Sequence, residues 1–322
     1  MDFVPSDDQQ TLGDELRRLL AGACDPDTRR AAIDLPGAVD RSLWSTLADT
    51  GVFSLTLPEA DGGVGLGRAD ATIVFEELGR AAVPGPFIWT SLAAGLVAGA
   101  ADGSTVVGGV EPRRPLLVEH LDGIDAVLVV DADAVRSIAA SEVTGRLMER
   151  PTDPLTPVTL VEELPAGTVI GDAATAERVR VDGALLAAAT QVGLGAACVD
   201  LAVAYAKERQ QFGKPIGAFQ AIKHLCADAY TGVELARAAV QAAGVEIDEG
   251  ASADVARRAV AAARIVASHA ALTAGKTCVQ VHGGMGFTWE LDAHLFLKRS
   301  LVVDTLLGNV DAAVDQMATV LA

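Results

Sequence analysis

The sequence predicts a mainly α protein with a small β-rich middle segment, and three observations carry that expectation. Half of the 322 residues are hydrophobic while only 4% are aromatic, and alanine, valine and leucine fill most apolar positions, as close-packed helices require. From residue 183 onward, long Ala/Leu/Val stretches are joined by short connections. Over 103–181 the pattern changes instead to short apolar runs separated by Asp, Gly and Pro.

Ser6-Asp7-Asp8-Gln9 has capping-box form ahead of an apolar face at Leu12, Leu16, Leu19 and Leu20, which predicts a first helix over 7–23. A second short helix should hold Leu43, Trp44 and Leu47 and stop at Gly51, whose missing Cβ suits a left-handed C-cap. A glycine-rich turn over 58–67 then precedes a third helix with Val74, Phe75 and Leu78 on one face. Strands are expected in the runs 105–107, 116–118, 126–130, 158–161 and 168–170. Helices over 183–207, 216–245, 252–276 and 290–318 should close as an antiparallel four-helix bundle. The expected domains are therefore an N-terminal helical domain (1–102), a reduced middle domain (103–181) and a C-terminal bundle (182–322).

The net charge of -18, with no basic run to offset it locally, disfavours binding to nucleic acid. Four scattered cysteines without a CxxC pair, and an acidic start lacking a basic region followed by an apolar one, predict a reduced cytoplasmic protein. The longest uncharged stretches, 84–101 and 183–199, are Gly/Ala-rich and read as buried core helices rather than membrane spans. A lone histidine such as His282 gives no metal site, and none is expected.

Two segments of the helical half are unlike ordinary helix connections: Arg209-Gln-Gln-Phe-Gly-Lys-Pro-Ile216-Gly-Ala-Phe-Gln220 and Gln280-Val-His-Gly-Gly-Met-Gly-Phe287. Arginine offers a planar fork to a pyrophosphate, adjacent glycines let the backbone approach a ligand closely, and phenylalanine can lie against an adenine or flavin edge. Taken singly, the glycine segment also reads as a helix-to-helix turn, and the other as a helix end broken at Pro215.

In this order and spacing the two segments resemble the acyl-CoA dehydrogenase family. Trp44 with Gly51, the stretch Leu57-Pro-Glu-Ala-Asp-Gly-Gly-Val-Gly65, and Phe75-Glu-Glu-Leu-Gly-Arg80 add to the resemblance at the other end of the chain. It implies an acyl-CoA dehydrogenase-like fold, with a helical N-terminal domain, a middle β-barrel and a C-terminal four-helix bundle, assembled as a dimer of dimers with each FAD between two subunits. It further implies that Arg209, Phe212, Ile216, Gln220, Gln280, Gly283 and Gly284 contact the pyrophosphate and adenosine end of an FAD held mainly by a neighbouring subunit.

The family's chemistry needs a carboxylate at the substrate α-carbon to take its proton. In register, the usual base position falls on Leu307 or Gly308, and the alternative position, on the helix before RxxFG, falls on Gly183. None of these can accept a proton. Ala184 replaces an arginine common near the family's active site, and the middle segment lacks the threonine-glutamate and glycine-serine stretch that covers the flavin ring. Other acids read as structural: Glu234 as a solvated helix carboxylate, Glu290 as a first-turn residue favoured by the helix dipole, Asp304 and Asp311 as out of register.

The resulting expectation is one subunit of a heteromeric acyl-CoA dehydrogenase. A homologous partner would supply the base and ring contacts, an acyl-CoA would be the substrate, and an electron-transfer flavoprotein the acceptor. The run Gly-Met-Gly-Phe-Thr-Trp-Glu followed by His294-Leu-Phe is similar to actinobacterial members acting on steroid-derived CoA esters. The rival readings are a scaffold or regulatory subunit that keeps only the fold, and a homomeric flavin enzyme of different chemistry.

Overall fold

A computed structural model describes residues 3–35, 37 and 39–321. Helix α1 (Asp7–Ala23) opens on the anticipated capping box: the Gln9 amide donates to Ser6 Oγ at 3.2 Å and the Ser6 amide to Gln9 Oε1 at 2.9 Å. Helix α2 (Pro26–Asp34) was not foreseen; Asp25 caps it by accepting from the Thr28 amide, with proline at its first position. In α3 (Arg41–Asp49), Asp40 caps the Ser42 and Leu43 amides, while Leu43, Trp44 and Leu47 are buried and Gly51 takes the left-handed conformation just beyond. Helix α4 (Arg68–Arg80) buries Val74, Phe75 and Leu78, and α5 (Phe87–Ala93) follows.

Strands β1 (Val107–Val110), β2 (Leu116–Glu119), β3 (Ala126–Val130), β4 (Val135–Ala139), β5 (Gly145–Leu147), β6 (Val158–Val161) and β7 (Thr168–Gly171) come next. They are followed by α6 (Ala173–Glu208), a hairpin of β8 (Gln210–Gln211) and β9 (Lys214–Pro215), α7 (Gln220–Asp248), α8 (Ala253–His282), α9 (Ala293–Val303) and α10 (Val310–Leu321). By contact the chain divides into two compact units, one made of 1–22, 72–83 and 185–322, the other of 23–71 and 84–184.

In the second unit a four-stranded sheet runs β1-β3-β4-β7, with β1 parallel to β3 and the other pairs antiparallel, beside an antiparallel three-stranded sheet ordered β2-β6-β5. All five residues of β3 are buried, as suits an uninterrupted apolar strand with a neighbour on each edge. β4 and β5 escape the sequence pattern because their side chains, Val-Arg-Ser-Ile-Ala and Gly-Arg-Leu, are mixed or exposed. Asp125, ahead of β3, accepts from the Val106 amide at 2.7 Å and from both Arg41 Nη atoms at 2.9 and 3.1 Å, and Arg41 holds its carboxyl below the ordinary range.

The first unit is helical. The most hydrophobic stretch of α6 is 83% buried, which marks a core helix although its length and composition would also cross a membrane. Small residues bring its neighbours close: a Cβ on Gly193 would lie 1.9 Å from the Glu76 carbonyl oxygen of α4, and one on Gly195 would lie 3.0 Å from Val233 of α7 and 3.4 Å from Ala271 of α8. Carboxylates ring this packing. Arg17 makes a two-point contact with the buried Glu77 at 2.7 and 2.8 Å, and Arg237 donates to both oxygens of Glu76 at 3.0 Å.

Among the boundaries that differ from the sequence pattern, α7 runs Gln220–Asp248 rather than 216–245, α8 reaches His282 rather than 276, β1 is Val107–Val110 rather than 105–107, and two differences are larger. α6 begins at Ala173 rather than near 183, because Asp172 caps the Thr175 amide at 2.9 Å and the charged turn that follows stays helical. The segment expected as one helix over 290–318 is two, α9 and α10, separated by a turn in which Leu307 and Gly308 have φ of 46° and 86°. Glu290 accordingly lies in the turn ahead of α9 rather than in a first helical turn.

Candidate functional site

The segment after α6 folds as a two-residue hairpin. Gln211 pairs with Lys214 and Gln210 with Pro215, which leaves Phe212 and Gly213 as the loop, at φ of 51° and 77°. Positive φ at both loop positions is the type I′ geometry, whose twist matches that of the flanking strands; glycine adopts it freely and phenylalanine does not. Phe212 is nevertheless 91% exposed, so no burial compensates for its strained backbone. Its ring meets Phe219 edge-on with centroids 6.0 Å apart, and Lys214 Nζ lies 4.5 Å from the Phe219 centroid on the way into α7.

The base of the hairpin is fixed by backbone bonds: the Arg209 amide donates to Tyr205 O at 2.8 Å, continuing α6, and the Ile216 amide donates to Arg209 O at 2.8 Å. The Arg209 side chain is exposed and makes no ion pair among the described residues. Gln220 is exposed at the first position of α7, and Ile216 is half-buried in the 3₁₀ turn between hairpin and helix.

The second segment ends α8. Gln280 is exposed on its last turn, one turn beyond the exposed Lys276. Gly283 leaves the helix at φ 61°, and a Cβ built on either Gly283 or Gly284 would meet no atom within 4 Å. The backbone there is open, so an anionic or ring-shaped ligand can approach it without displacing anything. At the end of the 3₁₀ turn Gly283–Phe287 and just beyond it, Phe287 and Trp289 are 66% and 62% exposed.

A ring contact joins the two segments. Tyr205 and the buried His282 stack with centroids 4.3 Å apart and planes 29° from parallel, bringing the C-terminal ends of α6 and α8 together. Arg209 follows Tyr205 by one turn and Gly283 follows His282 directly, so the guanidinium arm and the open glycine backbone share one end of the bundle. His282 Nδ1 lies 2.7 Å from the Cys278 carbonyl oxygen, which can only accept, so Nδ1 carries the proton. Burial pulls the imidazole pKa down, but the bonds to the Cys278 side chain and carbonyl outweigh it and leave it raised. The Cys278 thiol is drawn down by the hydrogen bond from Cys198, against burial and with help from His282. Sequence reasoning missed Tyr205, and it treated His282 as a turn residue, because a contact between helices leaves no local signal.

At the positions where a base is expected, Leu307 is buried and Gly308 is a left-handed turn residue. Arg264 of α8, only 1% exposed, holds that turn by donating from Nη2 to Val303 O at 2.7 Å and to Leu306 O at 3.3 Å. Asp304 accepts from Gln191 Nε2 at 3.4 Å and lies 4.0 Å from Arg264, so its carboxylate serves this buried cluster. Glu234 pairs with Arg237 on the same helix. Among the described residues, no group of three or more His, Cys, Asp or Glu is placed to hold a metal ion.

Comparison with known proteins gives concordant findings. Residues 6–103 match the family description "Acyl-CoA dehydrogenase, N-terminal domain" and residues 177–322 match "Acyl-CoA dehydrogenase, C-terminal domain". The chain is 36% identical over 318 residues to acyl-CoA dehydrogenase IpdE2 of Mycobacterium tuberculosis, with 92% of each chain covered. Among solved structures it is similar to the ChsE4-ChsE5 complex of Mycobacterium tuberculosis, with TM-score 0.86, 23% identity, and 100% of this chain and 99% of that one covered. It is also similar to a variant of the steroid ACAD Tcur3481-Tcur3483, with TM-score 0.84, 22% identity and 98% of each chain covered.

Proposed function

This chain belongs to the acyl-CoA dehydrogenase family, and from that premise we propose that it is one subunit of a heteromeric, FAD-dependent acyl-CoA dehydrogenase. It contributes the distal, pyrophosphate and adenosine half of an FAD site at a subunit interface, while a homologous partner chain contributes the base. The complex converts an acyl-CoA thioester to its 2-enoyl-CoA and passes electrons to an electron-transfer flavoprotein.

One observation carries this reading: the exposed arm of Arg209 and Phe212 and the open backbone of Gly283 and Gly284 meet at one end of the bundle, while the base position holds a buried leucine and a glycine. The residues present fit the cofactor. Arg209 has no ion-pair partner to give up among the described residues, Gln280 offers an amide donor, and Gly283 and Gly284, without a Cβ, leave room for a ligand against the backbone. Phe212 offers an apolar face that nothing in this chain covers. The bound flavin supplies the hydride acceptor. This chain's residues bind and orient its distal end and exclude water there; the proton of the substrate α-carbon goes to a carboxylate that Leu307, Gly308 and Gly183 cannot provide. The two-chain ChsE4-ChsE5 complex and the steroid ACAD of two chains support both the heteromeric arrangement and a steroid-derived CoA ester as substrate class.

The test is co-expression with neighbouring dehydrogenase-like chains, followed by mass and flavin absorbance of what co-purifies. A yellow complex of two unlike chains, beside a nearly colourless and inactive single chain, is expected. A yellow, active homomer overturns the division of labour, and a colourless complex reduces the chain to a scaffold.

A further inference from the structure

We infer that Tyr205 and His282 are positioning residues: their stacked rings set the spacing between the Arg209 arm and the Gly283-Gly284 backbone, so that cofactor affinity depends on a pair that does not touch the cofactor. The inference rests on the reading of those two segments as the distal FAD site. It follows from three features that have no joint explanation in helix packing alone.

First, the contact sits at the last point where α6 and α8 can register the two segments. Tyr205 is one turn before Arg209, whose amide donates to the Tyr205 carbonyl, and His282 is the residue from which the chain leaves α8 into Gly283 at φ 61°. Beyond these two residues, the flanking segments are a two-residue hairpin and a glycine turn, both exposed. A shift of one helix end against the other would therefore pass directly into the separation of the two arms.

Second, the histidine ring is itself fixed. Its Nδ1–H donates back to the Cys278 carbonyl at 2.7 Å, one turn earlier on its own helix, and the Cys278 Sγ lies 3.7 Å away. A ring held by its own helix transmits the position of α8 to whatever it stacks on. Leucine or isoleucine would fill the same buried volume without that directional tie.

Third, the groups the arms present to a ligand are open, although the hairpin base and Gly286 are held by backbone packing. The Arg209 side chain is exposed and Phe212 is strained and 91% exposed; beyond Gly283 nothing lies within 4 Å of where a Cβ would sit on either glycine. A ligand bridging both arms needs them at a fixed separation before it arrives, or it must pay the ordering cost itself.

The experiment uses the full chain and the co-purified complex. In the full chain, Tyr205→Leu or His282→Leu is expected to speed amide exchange in both 209–216 and 283–287, whichever partner is changed, while Tyr205→Phe restores the slow exchange. In the complex, each leucine variant should raise the FAD dissociation constant about three- to tenfold, the span of one aromatic pair. The double variant should cost less than the sum of the singles. Exchange that rises only in the segment bearing the substitution, or FAD retention that does not move, overturns the inference. The underlying reading fails separately: Arg209→Ala and Gln280→Ala without effect on FAD retention would sink it, and the positioning role with it, whereas normal effects there beside inert Tyr205 and His282 variants would sink the positioning role alone.

Discussion

Nη2 of Arg264 donates to the carbonyl oxygen of Val303 across 2.7 Å, and through this bond a fully buried guanidinium on α8 terminates α9 and fixes the turn of Leu307 and Gly308, where the sequence register leads one to expect a base. The end of a helix leaves carbonyls without intrahelical partners, and a cation there is favoured by the helix dipole as well as by the bonds it makes. Burial draws the guanidinium down to about 10, with Asp304 opposing, so it remains charged at neutral pH. Its second nitrogen, Nη1, donates to Gln191 of α6 at 3.2 Å, which ties three helices to one side chain.

Arg264→Met should therefore destabilise the chain by about 3 to 5 kcal/mol, the usual cost of breaking a buried charged network from one side. The apolar stem is kept, but the carbonyls of Val303 and Leu306 lose their donor and the carboxylate of Asp304 loses its nearby cation. Urea denaturation measures it. A loss below about 1 kcal/mol would mean that the turn satisfies these groups by itself.

Phe212 allows a prediction of opposite sign for stability and binding. Phenylalanine at φ 51° in a type I′ loop is strained, whereas asparagine or glycine is at home there. Phe212→Asn should raise the stability of the isolated chain by about 0.5 to 1 kcal/mol while weakening FAD retention in the complex, the exchange expected where a strained residue is kept for function. Thermal melts of the chain and flavin absorbance of the complex after dialysis report the two halves. Loss of stability on substitution would show that the ring contact with Phe219 matters more than the backbone.

Within the complex, Arg209→Ala or Gln280→Ala should each loosen FAD by about 1.5 to 3 kcal/mol, the worth of a hydrogen bond to a charged group. Both side chains are exposed in this chain, and Arg209 has no ion pair here to lose, so neither change should move the melting temperature of the isolated chain by more than about 1 to 2 °C. Unchanged flavin retention after the double substitution would mean that these residues only shape a turn.

How much of this was legible follows from the range of the interactions. The Ser6–Gln9 capping box, and the apolar Leu43, Trp44 and Leu47 ahead of Gly51, are written within a few residues, and the first helix begins and the next one ends close to where the pattern places them. The break between α9 and α10 was not legible as one. Asn309 caps the Ala312 amide at 3.0 Å, but what stops α9 is Arg264, some forty residues away in sequence, and the helical periodicity runs on across the turn. The candidate site divides in the same way. Arginine, phenylalanine and glycines suited to a dinucleotide could be read from residue types, whereas the ring contact that brings the two segments together joins residues 205 and 282, and a pairing between helix ends has no period.

The last expectation concerns the base. Glu234 is 42% exposed and bound to Arg237, which also holds Glu76, so it is one member of a charge network on the bundle surface. Glu290 is exposed in the turn ahead of α9. A general base must reach the proton it removes, and neither acid shares a turn with Leu307 and Gly308, the positions at which the sequence register leads one to expect the carboxylate. Glu234→Gln and Glu290→Gln should thus leave turnover of the complex within a few-fold, because glutamine keeps the shape and a hydrogen-bonding oxygen. Glutamate-to-glutamine at the partner's base position should lower turnover by about two to four orders of magnitude, the contribution of a positioned general base. Both arms are measured with saturating FAD, and flavin reduction by substrate in a single turnover separates chemistry from assembly. If Glu234→Gln or Glu290→Gln abolishes that reduction while assembly and FAD content are intact, the proton is taken on this chain, and the turn that Arg264 holds is not where the base was lost.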